Sequence, residues 1–346
     1  MREVRRRAGE RGRGEFARLR SIAAGFRTPS IGRSLWQIVN SFGTLFLLLG
    51  AMYASLQISY WIVLALAVPA AGLVVRIFTI QHDCGHGSFL PSRAGNRIVG
   101  GLCSLFTLTP FANWRRQHAL HHANWNNLDR RESGVDIYAA CLTVDEYRAL
   151  SPWGRFRHRV VQHPLVALVL IPPLVFLVLY RMPFDTPASW IAERRSVWLT
   201  DLALLMLYGG LGLAFGFKAM ILVQLPIISL AAILGVWLFS LQHRFRHSVW
   251  MRRRDWDAKL ASLKGSSYLK LPELLRWFSG SIGFHHVHHL DARIPNYRLE
   301  ACHDSLADIG TLTVLRIADG LVAWRYALWD EAGGRMVTFR EARTEA

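Results

Sequence analysis

The sequence predicts an all-α integral membrane protein with four transmembrane helices arranged in two hairpins. Of its 346 residues, 52% are hydrophobic, and the mean hydropathy is +0.20. The apolar residues come in long runs, and two regions each have room for two crossings at ~20 residues per crossing. Lys and Arg number 41 against 24 Asp and Glu, a formal net charge of +17, and most of these charges lie between the runs. Composition of this kind is typical of membrane proteins and excludes a disordered chain.

The first hairpin is predicted within residues 34–75, which contain no charged side chain. An uncharged stretch of this length accommodates two helices that cross a bilayer. We expect the chain to reverse near residues 57–60.

The second hairpin is predicted from residues 197–217 and 219–242. Gly216, Phe217 and Lys218 separate these two apolar runs, so the connection has room only for a sharp turn. Asp201 falls in the first turn of the earlier run, where a carboxylate suits both the membrane interface and the positive helix N-terminus.

Two shorter apolar stretches, residues 98–113 and 165–180, fall below the ~20 residues needed for a crossing. The first contains Pro110, and the second is interrupted by Pro172 and Pro173. Proline removes a helical hydrogen bond and interrupts a regular helix. We therefore expect both stretches to form interfacial or re-entrant helices.

Most arginines lie before residue 34, in 81–162, in 181–196 and after residue 242, whereas the two tight turns carry only Lys218. By the positive-inside rule, both termini then face the cytoplasm, and we expect the inner (cytoplasmic) membrane of a bacterium. Arginine beside membrane segments also explains the net charge without nucleic-acid binding. The expected division is a basic cytoplasmic tail (1–33), a membrane domain with a cytoplasmic helical cap (34–305) and a C-terminal cytoplasmic segment (306–346).

Eleven of the fourteen histidines fall in four clusters at the predicted cytoplasmic edges of apolar segments. The first cluster is HDCGH at 82–86, and each of two others contains the pattern HxxHH, at 118–122 and 285–289. Spacings of three and four residues put imidazoles on one face of a helix. Three such patterns on one side of a membrane predict a shared metal site.

Neutral imidazole is a common ligand for iron, copper, nickel and zinc, and eight histidines exceed what one first-row ion accepts. Two ions are therefore predicted. A carboxylate di-iron site needs paired Glu-x-x-His motifs, and the sequence has only Glu300-Ala-Cys-His303. Zinc hydrolysis is disfavoured because such sites commonly use three protein ligands and a water.

These motifs resemble those of the membrane fatty acid desaturases, particularly the acyl-lipid Δ12 (ω-6) branch. The resemblance rests on HDCGH at 82–86, WRRQHALHHAN at 114–124, and HHVHHL at 285–290 followed by Ile-Pro-Asn-Tyr at 294–297. It covers roughly residues 35 to 305.

The resemblance implies two non-haem irons held by the three boxes and by a further histidine after the last transmembrane helix, here His243. The nine candidate metal ligands are His82, His86, His118, His121, His122, His243, His285, His288 and His289. His247 is the less favoured partner on the helical face of His243. His286 lies about 100° around a helix from His285, and we expect it to orient a ligand or pack.

The implied activity is O₂-dependent desaturation of a long-chain fatty acyl group, with two electrons supplied from outside. The sequence shows no cytochrome b5 domain, flavin fingerprint or cysteine-ligated iron–sulfur motif, so we expect a ferredoxin-like or cytochrome b5-like donor protein. An alkane or lipid hydroxylase and a carotenoid ketolase or hydroxylase remain alternatives with the same metal centre. A metal transporter is disfavoured because no histidine occupies the middle of a predicted span.

Four carboxylates near the boxes could orient metal-bound imidazoles, as such ligands commonly require. They are Asp83, Asp129, Asp136 and Asp291, and for each a solvated surface carboxylate is the alternative. Aromatic residues near the ends of the apolar runs, such as Trp36, Tyr60 and Trp114, predict an interfacial belt. A place in the wall of an acyl tunnel is the alternative for Trp114.

Overall fold

The computed structural model describes residue 14 and residues 16–131, 141–306 and 312–344. Residues 16–24 form helix α1. Within the described ranges, four helices are long and apolar enough to cross a membrane. They are α2 (Ile31–Ser55), α3 (Tyr60–His86), α9 (Ile191–Phe215) and α10 (Phe217–His243). The predicted all-α membrane fold with four spans is confirmed.

The two hairpin turns lie where the sequence predicts them. Ser59 caps the start of α3 by accepting a hydrogen bond from the backbone N–H of Trp61. Gly216 alone separates α9 from α10 and has a φ of +88°, a backbone conformation that side chains rarely tolerate. The last turns of α3 and α10 consequently lie on the same side of the four spans, which we call the cap side.

The two shorter apolar stretches are broken helices. The stretch at 98–113 is divided between α4 (Arg93–Thr107) and α5 (Phe111–Asn124). The stretch at 165–180 contains a π-helix (Leu165–Leu170), α8 (Ile171–Leu177) and a 3₁₀ turn, and it bends by 52° from α7 (Pro152–Val161). Pro172 and Pro173 lie in the first turn of α8, where a missing N–H costs least. The interfacial or re-entrant location of the two stretches stays a prediction.

The central helix of the membrane part is α3, which packs against α2, α4 and α10. Its buried face includes Ala67, Ala70 and Ala71, whose small side chains let neighbouring helices approach closely. This packing holds the cap-side end of α3 beside that of α10.

The cap is built from short helices. They are α6 (Val144–Ala149), α11 (Ala258–Lys264), α12 (Glu273–Phe278), α13 (His285–Leu290), α14 (Leu299–Ser305), α15 (Ile317–Ala323) and α16 (Glu341–Thr344), with 3₁₀ turns at Leu128–Arg130, Arg253–Asp255 and Asn296–Arg298; the 3₁₀ turn at Leu179–Arg181 belongs to the apolar stretch at 165–180.

Five short strands, which the sequence did not predict, join parts of the cap. They are β1 (Leu142–Thr143), β2 (Tyr268–Leu269), β3 (Val314–Leu315), β4 (Tyr326–Asp330) and β5 (Arg335–Thr338). β4 pairs in parallel with β1 and antiparallel with β5, and β2 pairs in parallel with β3. The C-terminal segment is thus hydrogen-bonded to the cap at two places.

Part of the predicted basic tail packs on the cap. Leu19 and Ala23 of α1 are buried in a cluster with Phe284 and Val287. Three residues beyond the end of α1, Arg27 forms an ion pair with Asp291. The tail therefore covers α13, the helix that carries the third histidine box.

Candidate metal centre

The first histidine box lies in the last turn of α3. The helix continues through HDCGH and ends at His86 because Gly87 adopts a left-handed conformation with φ +69°. The His82 and His86 rings therefore lie on one face, with centroids 4.8 Å apart. The predicted i, i+4 arrangement of this box is present.

Three further elements bring the remaining candidates to this place. The second box lies in the last two turns of α5, the third box forms α13, and His243 is the last residue of α10. The boxes of α5 and α13 meet although they are far apart in sequence: the Nε2 atoms of His122 and His288 are 2.9 Å apart across a separation of 166 residues.

The potential ligand atoms form two groups, in each of which they all lie within 4.8 Å of one another. The first group is His82, His86, His118, His122 and His288, and the second is His121, His243 and His289. His285 adjoins the second group, since its Nε2 lies 2.9 Å from that of His243 and 3.1 Å from that of His289. The structure thus brings all nine predicted residues together: eight form two groups that could each hold a metal ion, and His285 adjoins the second.

The spacing of the nitrogen atoms fits metal ligation. Four His–His pairs have Nε2 atoms 2.9–3.2 Å apart. Two imidazoles in adjacent positions on one ion, each bound at about 2.1 Å, would have nitrogens about 3 Å apart. In the described part of the chain, the buried Nε2 atoms of His82 and His86 have no hydrogen-bond partner. A buried polar atom without a partner is costly, and a metal ion would satisfy both of these atoms.

Burial keeps these imidazoles in the form that binds metals. Desolvation, reinforced by neighbouring histidines, lowers the pKa well below its ordinary value in five candidates outside the spans: His118, His122, His285, His288 and His289. Each is consequently neutral at pH 7. Neutral imidazole has a nitrogen lone pair available for a cation.

Of the four predicted carboxylates, Asp83 contacts a candidate ligand. Its Oδ1 lies 3.2 Å from Nδ1 of His82, and its Oδ2 accepts hydrogen bonds from Asn296. Asp129 instead pairs with Arg252 at the surface, and Asp291 pairs with Arg27 and Arg293. Asp136 lies outside the described residues.

The two less favoured histidines, His247 and His286, lie outside both groups. His247 is exposed. His286 is fully buried, and its Nε2 lies 3.0 Å from Nδ1 of His303. This contact packs α13 against α14, which agrees with the packing role expected for His286.

Two tryptophans lie at the site in positions that the sequence alone does not predict. Trp114 stacks on His118 with ring centroids 4.6 Å apart, so the alternative role as a lining residue describes it better than an interfacial belt. Trp125 is fully buried, has its ring centroid 4.0 Å from that of His243, and donates from Nε1 to the carbonyl of Gly265. The sequence feature that could have indicated this contact is the spacing of four residues between His121 and Trp125.

A cavity of about 170 Å³, which we call the site cavity, extends from the histidines into the membrane part. Four candidate ligands line one end of it: His82, His118, His121 and His285. Apolar side chains such as Phe78, Phe176 and Val236 make up most of the remaining wall.

A second cavity, of about 330 Å³, reaches the histidines from the cap. It ends at His122 and His289, whose rings are stacked with centroids 4.4 Å apart. Arg20 and Arg293 also line it, and both are exposed. The two histidine groups are therefore approached from two directions, one apolar and one polar.

Comparison with known proteins agrees with this architecture. The family model described as "Fatty acid desaturase" matches residues 58–317. The chain is 39% identical over 317 residues to a fatty acid desaturase of Bacillus subtilis, covering 92% of this chain and 89% of that protein. It is 27% identical to the acyl-lipid omega-3 desaturase (cytochrome b5) of Arabidopsis thaliana, covering 71% of this chain and 64% of the relative.

A cyanobacterial relative is similar at the same level. The sn-1 acyl-lipid omega-3 desaturase (ferredoxin) of Synechocystis is 27% identical over 240 residues, covering 67% of this chain and 64% of that protein. A family match across most of the chain, four apolar spans and two histidine groups that could bind metal thus agree. The chain belongs to the fatty acid desaturase family.

Proposed function

We propose that the protein desaturates a long-chain fatty acyl group carried on a membrane lipid, using O₂ and a non-haem di-iron centre. The observation that carries this proposal is an apolar cavity within the membrane part that ends at candidate metal ligands. An acyl chain in this cavity would have its methylenes beside the imidazoles of His82 and His118.

Four polar side chains of the cavity wall are hydrogen-bonded to the protein, so they offer an acyl chain little polar competition. Thr79 donates to the carbonyl of Ser279, Thr107 to Gln81, Gln117 to Asp185 and Gln242 to the carbonyl of Ile282. Apolar cavities with satisfied polar groups suit apolar ligands.

The nine histidines would hold the two irons, five of them in the first group and four, including His285, in the second. Bound iron would supply reductive activation of O₂: each of two adjacent methylenes loses one hydrogen, and O₂ leaves as two waters with two added electrons and two protons. The protein's own residues position the reaction. Asp83 orients His82, and the stacked ring of Trp114 limits the freedom of His118.

The Δ12 (ω-6) position is our proposal for the new double bond, and it rests on the resemblance of the histidine boxes. A lipid-linked substrate is supported by relatives in plants and cyanobacteria whose names describe acyl-lipid desaturases. An oxidoreductase of this class is thus proposed to act within the bilayer, where its spans lie.

We propose that a ferredoxin-like or cytochrome b5-like protein delivers the electrons at the second cavity. Relatives are named for both donor types. The cavity opens on the cap, ends at His122 and His289, and has Arg20 on its wall, while Arg293 on the same wall is paired with Asp291. An exposed arginine at such an opening favours an acidic partner.

The proposed location is the cytoplasmic membrane of a bacterium, with both termini and the cap in the cytoplasm. Support comes from the arginine-rich segments on the cap side. The two hairpin turns on the opposite side carry no charged residue except Lys218.

Expression in a host that lacks polyunsaturated lipids tests the proposal. Mass spectrometry of the fatty acids should reveal a new double bond with the wild-type chain and none with the His288→Ala variant. A hydroxylated acyl product would instead identify a hydroxylase. Unchanged acyl lipids together with iron-loaded protein and a reducing donor would contradict the proposal.

A further inference from the structure

A third cavity lies beyond the site cavity, on the side away from the cap. Its volume is about 720 Å³, and it lies between α2 and α9 over a floor from α3, α4 and α10. We call it the lipid-side groove. Among the residues that line it, Phe46 and Phe215 are 54% and 55% exposed, so the groove is open toward the lipid.

The groove and the site cavity share one wall. Three residues line both spaces: Val74 of α3, Phe106 of α4 and Ile228 of α10. The Phe106 ring is held edge-on by two rings of α2, with centroids 5.1 Å from Phe42 and 5.8 Å from Phe46. Phe106 thus separates two apolar spaces. The two rings that contact it are also apolar.

The two spaces follow one another in depth. Along α10, residues 224–228 line the groove and residues 228–242 line the site cavity. Tyr53 and Phe215, near the far ends of α2 and α9, stack with centroids 4.5 Å apart at the end of the groove. An acyl chain held with its head group on the cap side would therefore pass the histidines first and reach Phe106 afterwards.

We infer that the methyl end of the acyl substrate passes Phe106 into the lipid-side groove, and that the position of the double bond is consequently counted from the carboxyl end. This inference rests on the proposed function. Its physical reason is that the groove is open to lipid along its side, at the exposed rings of Phe46 and Phe215, and so does not fix the position of the methyl end. Because lipid tails are as apolar as the groove, enclosing that end would gain little free energy, whereas a polar head group can be held in one place.

The Δ12 and ω-6 descriptions coincide in an eighteen-carbon chain but differ in shorter and longer chains, and this difference provides the test. Cells that express the protein are supplied with sixteen-, eighteen- and twenty-carbon acyl chains, and the double bonds are located by mass spectrometry. We expect one constant distance from the carboxyl carbon. A constant distance from the methyl carbon would overturn the inference while leaving desaturation established. Absence of any new double bond would contradict the proposed function itself.

Two opposite changes at Phe106 test the passage directly. Phe106→Trp enlarges the ring in a packed wall and should lower the ratio of twenty- to sixteen-carbon product by about tenfold, whereas Phe106→Ala should keep or raise it. Leu102→Trp is the matched control, because Leu102 lies one turn earlier on α4 and is exposed. The ratio is internal to each preparation, so a loss of folded protein cancels out. Equal ratios in both Phe106 variants would overturn the inference.

Discussion

Oδ1 of Asp83 lies 3.2 Å from Nδ1 of His82, which directs the Nε2 atom of that imidazole toward the histidine group. The other carboxylate oxygen accepts hydrogen bonds of 2.6 and 2.8 Å from the backbone and side chain of Asn296. Gln37 of α2 in turn donates to the Asn296 amide oxygen. A chain of hydrogen bonds from the first span thus orients one candidate metal ligand.

Replacing Asp83 with Asn should lower iron affinity about 10- to 100-fold, the usual effect of losing a carboxylate behind a metal-bound histidine. Iron retained against a graded chelator measures this. Asn296→Ala keeps the carboxylate and should have a smaller effect in the same direction. Asp129→Asn, at a surface ion pair with Arg252, is the control. Wild-type iron retention in Asp83→Asn would contradict the positioning role.

Replacing His288 with Ala should abolish turnover and lower the iron content, because Nε2 of His288 adjoins that of His122 in the first group. His163→Ala should keep both, since His163 is exposed and lies outside the two groups. Iron content and product formation are measured on the same anaerobic preparation. An active, iron-replete His288→Ala variant would refute the ligand assignment.

Removing iron should lower the thermal stability of the protein, because an ion that binds only the folded chain stabilises it. Free iron at one hundred times its dissociation constant would stabilise the folded protein by about 2.7 kcal/mol per ion, or roughly 4 °C in Tm. Thermal unfolding in detergent, before and after chelation, measures the change. The His288→Ala variant should show a smaller shift. Identical Tm values for both forms of the wild type would argue against a metal centre.

Arg20→Glu should weaken the encounter with an acidic electron donor at the second cavity. Because one exposed charge pair contributes little, we expect KM for a ferredoxin to rise about two- to fivefold while kcat is retained. Added salt should reduce this difference in KM, since it screens exposed charges. Arg343→Glu, a change at an exposed residue that does not line this cavity, is the matched control. Equal KM values for the two variants would exclude this docking site.

The topology is tested by single-cysteine labelling in a background without the native cysteines. Probes at Ser151 and Ser189 should both react from the cytoplasmic side, and a probe at Phe217 from the other side. All three positions are exposed. Two crossings, α9 and α10, lie between the histidine boxes at 82–122 and the histidines at 243–289, and both sets meet on one side of the membrane. The segments that flank α8 must therefore share that side. Opposite labelling of Ser151 and Ser189 would require another crossing between them.

Several features were predictable because they depend on contiguous residues. The four spans follow from the length of the apolar runs, and the sharp turn at Gly216 follows from the room left between two of them. The face shared by His82 and His86 follows from helical spacing alone. The role of Trp114 was not predictable in this way, because a tryptophan at the end of an apolar run suits both a membrane interface and a cavity wall.

The sequence by itself determined the membrane class, the two hairpins and which histidines are candidate ligands, since hydropathy and helical periodicity are local properties. Only the tertiary structure decided which side chains meet. Asn296 reaches Asp83 across 213 residues, and Phe106 divides two cavities because α2, α3, α4 and α10 pack around it. Such contacts depend on how separate helices pack, and no local pattern of residues records that packing.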